Sequence, residues 1–137
     1  MSRIEHLESK TVAIIGLGVS QVDFAIGLEN SREWDEVWCI NSAGLVYPAD
    51  RIFALDPASR FFDSNDAGKQ TNAMKKLMAT SDVPIYTCEL DPRIKNAVRY
   101  PVEDVCNETK CAYMNTTVAF AIAYALYNKV GRLDLFG

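Results

Sequence analysis

Thr11-Val12-Ala13-Ile14-Ile15-Gly16-Leu17-Gly18-Val19-Ser20 is the stretch that decides the fold. Its first half is β-branched and apolar on both faces, as a strand in the middle of a parallel sheet must be. Its second half turns the chain on two glycines. Ser20, with Asp23 three residues on, is a candidate helix N-cap. The spacing then predicts a helix over 21–29, with Val22, Ala25, Ile26 and Leu28 buried and Asn30-Ser31 ending it. Strand, glycine turn and helix in that order open an α/β unit.

The same alternation continues outward. Val37-Trp38-Cys39-Ile40 reads as a second strand, stopped by Asn41-Ser42-Ala43-Gly44. Arg51-Ile52-Phe53-Ala54-Leu55 reads as a third, stopped by Asp56-Pro57. Met74, Leu77 and Met78 stand at helical spacing within 71–80. Val83-Pro84-Ile85-Tyr86-Thr87 is a fourth strand, with Pro84 near its start. Residues 89–114 read as irregular. A helix over 116–128, ended by Gly131, leads to a last strand over 132–136. The expected architecture is one Rossmann-like α/β domain over residues 1–137, in three layers. Its sheet is mostly parallel with helices on both faces, and ligands bind at the carboxyl ends of such strands.

Composition agrees. The chain has 137 residues, 49% hydrophobic and 23% charged, which is one ordinary globular domain. Disordered, collagen-like and disulfide-scaffold classes are excluded. Fourteen Lys and Arg against eighteen Asp and Glu give a net charge of −4, which argues against general nucleic-acid binding. The longest apolar run, 117–127, is about half the ~20 residues a membrane-spanning helix needs. The N-terminus lacks the apolar core of a secretory signal. Four cysteines without an export signal point to free thiols in a reducing cytoplasm.

Every polar motif falls at a strand end or opens a helix. In Gly16-x-Gly18-x-Ser20, a strand feeding a helix aims backbone N–H groups and the positive end of the helix dipole at one point, which suits a phosphate. Gly16, Gly18, Val19, Ser20 and Gln21 form that candidate loop; the alternative is a tight turn with an ordinary cap. Gln21 stands where a dinucleotide fingerprint needs its third glycine, and Asn41 where it needs an acid, so NAD is disfavoured. Asn41 and Ser42 suit a ribose hydroxyl or a base edge, or simply an Asx turn. Asp56 suits a base, a metal ligand or a sugar hydroxyl, or again turn chemistry. Asn115, Thr116 and Thr117 open the last helix as caps or as a second anion-facing N-terminus. Cys39 and Cys88 read as core thiols, and Cys106 and Cys111 as free thiols with poor zinc spacing. His6, the one histidine, reads as exposed, and alone it cannot complete a hydrolytic triad. Tyr124 and Tyr127 share one helical face, as core or as an oligomer contact; Tyr113 lies nearby.

Together, Gly-x-Gly-x-Ser after a strand, Val-Trp-Cys-Ile-Asn-Ser, Phe-Ala-Leu-Asp-Pro, Asn-Thr-Thr-Val-Ala-x-Ala-x-Ala-x-Ala and Leu-Asp-Leu-Phe-Gly resemble the Rossmann-like family of 6-hydroxymethylpterin diphosphokinase-like proteins. That family includes many bacterial and phage proteins. Bacterial sialyltransferases of the CMP-sialic acid type are more distantly similar. The resemblance runs from Thr11 to Gly137. It implies a nucleotide, nucleotide-sugar or other phosphorylated ligand across the strand ends. Gly16, Gly18 and Ser20 match the family's glycine loop, Asn41 its strand-two asparagine, Asp56 its strand-three acid and Asn115-Thr116-Thr117 its helix-opening group. Val19 stands where the family usually has proline. The family's last strand runs on through glycine into an acid; this sequence ends at Gly137, so either a longer natural chain or the loss of that acid is expected.

The expected chemistry is group transfer, of diphosphate from ATP or of a glycosyl group from a nucleotide donor, with Asp56 as base or metal ligand. Diphosphate transfer would call on Mg²⁺; glycosyl transfer of the sialyl type does not demand it. The other reading is a non-catalytic module that sequesters or senses a nucleotide. The glycine loop holds no Lys or Arg. Arg51, Arg60 and Lys69 are the cations near enough in sequence to reach the site.

Overall fold

Val12, Ala13, Ile14 and Ile15 are all buried, because strand β1 (Thr11–Ile15) has a neighbour on each side and a helical layer on each face. The computed structural model describes residues 3–111 and 114–137. The other strands are β2 (Glu36–Ile40), β3 (Arg51–Phe53), β4 (Ile85–Thr87), β5 (Ala97–Arg99) and β6 (Arg132–Phe136). They form one six-stranded sheet in the order β5-β4-β3-β2-β1-β6. Every pairing is parallel, so the sheet is wholly rather than mostly parallel.

Side chains alternate across it with the two-residue period of a strand. Val12, Ile14, Trp38, Ile40, Phe53 and Tyr86 face one layer. That layer is α4 (Val102–Thr109), α5 (Thr117–Tyr127) and a short 3-10 turn at Glu5–Leu7. Ala13, Ile15, Cys39, Ile52 and Ile85 face the other. There lie α1 (Gln21–Glu29), α2 (Ser59–Phe62), α3 (Gln70–Thr80) and a 3-10 segment at Asn41–Leu45. The first layer is aromatic. Tyr124 packs against Trp38, Phe53, Tyr86 and Tyr100 with ring centroids 5.0–5.8 Å apart. The alanines of α5 let its backbone lie close enough for those rings to fill the space. Tyr124 and Tyr127 are therefore core residues.

The amino edge of the sheet is tied by a buried ion pair. Arg51 donates to both Glu36 oxygens, at 2.8 and 3.0 Å, and to the Tyr86 hydroxyl at 3.0 Å. The Trp38 indole N–H donates to Glu36 at 2.8 Å. His6, exposed as expected, touches the same carboxylate at 3.1 Å. Arg51 thus faces away from the carboxyl edge and does not serve a site there.

Several expectations need correcting. α1 has the expected bounds but buries Phe24, while Val22, Ile26 and Leu28 are exposed; one large ring, tilted against Trp34 and edge-on to Tyr47, anchors the helix and sets its roll. Ser20 has helical backbone angles and its side chain caps nothing. The segment 89–114 holds β5 and α4 rather than irregular chain. Cys88 is exposed rather than core. α5 closes at Asn128, with Lys129 left-handed at φ 57°. Gly131 has a different task, since a Cβ there would lie 2.7 Å from the Ser9 carbonyl oxygen. Tyr113 lies outside the described residues. Among the described residues, no helix is long and apolar enough to cross a membrane.

Candidate functional site

Six parallel strands end on one edge, and the polar residues read from the sequence follow those ends. The strand order reverses between β1 and β6, and a crevice outside the carboxyl ends at such a reversal is where open α/β sheets bind ligands.

The glycine turn sits at that reversal. The Gly16 N–H donates to the Phe136 carbonyl at 2.7 Å. The Gly137 N–H donates to Ser20 Oγ at 2.8 Å. A Cβ on Gly18 would lie 2.6 Å from the Gly137 carbonyl carbon. Close approach of the backbone after β6 is therefore one reason for the glycine pattern. Beyond it the turn is open: Leu17 to Ser20 are exposed, Val19 the most at 94%. Among the described residues, nothing accepts the N–H of Gly18, Val19 or Ser20. The Gln21 N–H turns back to the Gly18 carbonyl at 3.2 Å. Ser20 uses its oxygen as an acceptor and keeps its hydroxyl proton free to donate.

A cleft of about 150 Å³ lies beside the turn, lined by Leu17, Asn41, Asp56, Arg60, Phe61, Ala67, Gln70 and Met74. Asn41 is left-handed, at φ 50°, where asparagine is tolerated. Its Oδ1 is buried and receives no hydrogen bond. Ser42 next to it is buried and donates to Gln70 Oε1 at 2.7 Å. That bond joins the end of β2 to the start of α3. The neighbouring Thr71 hydroxyl is also buried without a partner. At the cleft wall, Arg60 Nη1 donates to Asp56 Oδ2 at 3.0 Å, with both side chains a little over 40% exposed. Whole-ligand pockets measure about 300–1,000 Å³. This cleft has room for a fragment the size of a sugar ring or a base, not for a whole ligand.

Asn41 and Asp56 thus share one cleft, Leu17 links it to the glycine turn, and Ser42 supports it from below. Asn115, Thr116 and Thr117 do not line it. They open α5 on the opposite face of the sheet, where Thr116 Oγ1 accepts the Ala119 N–H at 3.1 Å as a cap. Of the three cations expected within reach of the site, Arg60 lines the cleft and Arg51 and Lys69 do not; Gln70 and Met74 are cleft residues that sequence reasoning missed. Starting α3 one residue earlier would have put Gln70 and Met74, four apart, on one helical face. Among the described residues no cluster of three or more His, Cys, Asp or Glu side chains forms a metal-ligand set. The residues do not fit a protein-held Mg²⁺: Asp56 is the cleft's one carboxylate and is engaged by Arg60.

No family model, curated protein or solved structure matches the chain.

Proposed function

We propose that this domain binds a nucleotide or nucleotide-sugar across the carboxyl edge of its sheet. The observation that carries the reading is the Asn41–Asp56 cleft at the β2 and β3 ends, in which the buried Asn41 Oδ1 has no donor. An unmade buried hydrogen bond costs about 1–3 kcal/mol, which a ligand O–H or N–H would recover. Sugar hydroxyls or a base edge would engage Asn41 and Asp56, and the open amides of Gly18 to Ser20 suit a phosphate. The resemblance to the diphosphokinase-like proteins supports the same ligand class.

Group transfer, of diphosphate or of a glycosyl group, is the chemistry this ligand class suggests. The domain's part would be positioning and charge stabilisation, with Asp56 beside the reacting hydroxyl. The Asp56–Arg60 pair favours a second reading, binding without turnover, since the cleft's one carboxylate is already engaged by a guanidinium.

A panel of nucleotides and nucleotide-sugars, read by thermal shift and then for product over hours, tests both. At a free concentration of 100 times Kd, binding adds about 2.7 kcal/mol of stability. A shift with product supports transfer, and a shift without product supports the binder. No shift with any member of the panel overturns the proposal.

A further inference from the structure

The geometry points to Arg60 as the residue that supplies positive charge to the ligand's phosphate, an inference that rests on the reading just given. Among the residues lining the cleft, Arg60 is the one basic side chain. The glycine turn offers only neutral amide donors. Of the other cations near strand three, Arg51 is fixed to Glu36 by two hydrogen bonds and to Tyr86 by a third, and Lys69, exposed just before α3, does not line the cleft. Arg93 is held by both Asp91 and Asp63. Arg60 makes a single hydrogen bond, through Nη1 to Asp56, and its guanidinium lies 6.0 Å from the centre of the Phe61 ring; its remaining N–H donors have no hydrogen-bond partner among the described residues. Exposed pairs four residues apart are weak, so exchanging Asp56 for a phosphate costs little. The exchange frees the Asp56 carboxylate for a hydroxyl of the ligand. The cleft therefore selects phosphorylated over neutral forms of its ligand, and Arg60 reads the difference.

The test compares each nucleoside with its 5′-diphosphate by isothermal titration at low and moderate salt. In the wild type the diphosphate binds at least tenfold tighter, and the ratio shrinks as salt is added. Arg60→Ala shrinks the ratio severalfold, the amides of the glycine turn keeping the remainder, and Arg60→Lys restores part of the loss. Lys76→Ala, which removes the same charge from the exposed outer side of α3, keeps the wild-type ratio. An unchanged ratio in Arg60→Ala overturns the assignment while leaving the nucleotide reading intact. A wild type that binds neither nucleosides nor diphosphates overturns both.

Discussion

Gly18 and Gly137 meet backbone to backbone: a Cβ on Gly18 would stand 2.6 Å from the Gly137 carbonyl carbon, with no flexible side chain between them to yield. Gly16 differs, since its nearest contact would be 3.4 Å, an ordinary van der Waals distance. Gly18→Ala should therefore force β6 or the turn to shift and cost about 1–3 kcal/mol. Gly16→Ala should cost well under half of that. Urea unfolding of the two variants checks the order, and equal losses would mean that Gly137 does not seat on the turn.

Acid should weaken the amino edge of the sheet. Burial alone would raise the Glu36 carboxyl, but hydrogen bonds from Arg51, Trp38 and His6 outweigh it and hold the group below its ordinary 4.5. Asp134 is likewise held down, with Trp34, Arg132 and Arg32 overcoming its burial. A depressed folded pKa means that the unfolded chain takes up protons first. The stability is present above about pH 5 and drains away as pH falls through the folded value. Glu36→Gln should lose roughly 3 kcal/mol at pH 7, because Arg51 is left largely out of water without its counter-charge. The gap to wild type should narrow by pH 3. Denaturant midpoints at pH 7, 5 and 3 measure this, and a constant gap would contradict it.

The thiols should separate by reactivity. Burial pushes the Cys39 thiol up to about 12, with Asp50 adding to the effect. Cys88 is exposed, its thiol raised by partial burial and by Glu89. Iodoacetamide at pH 8 should label Cys88 in the folded protein, slowly for an exposed thiol, and reach Cys39 only on unfolding. Peptide mapping by mass spectrometry reads both sites. Labelling of native Cys39 at a rate near that of Cys88 would show that the β2 core opens.

Legibility followed side-chain dominance. β1 could be read because four consecutive buried residues admit no other element, and the glycines after it admit no helix interior. β5 could not: it has three residues, of which Val98 and Arg99 are exposed, so neither period shows. The roll of α1 was missed because apolar residues lie all round it, and only the fit of Phe24 between Trp34, Tyr47 and Phe136 chooses a face. In the site, Asn41 and Asp56 announced themselves as polar residues ending apolar runs. Arg60 and Gln70 reach the same cleft only through the packing of α3 against the Asn41–Leu45 segment and of α2 against α3, which no local pattern encodes.

Ser20→Asp separates the joint from the proposed anion site. The Ser20 oxygen accepts the Gly137 N–H at 2.8 Å, and a carboxylate one bond further out still offers an acceptor, so the fold should lose less than about 1 kcal/mol. The same change sets a negative charge beside the open amides of Gly18 and Val19. A phosphate lying there would be repelled, and nucleotide affinity should fall at least tenfold, more steeply at low salt than at high. Nucleoside affinity, which the proposal assigns to the Asn41–Asp56 cleft, should fall far less. If nucleotides bind the variant as tightly as wild type, the phosphate lies away from the turn, and the glycines serve only the seat of Gly137.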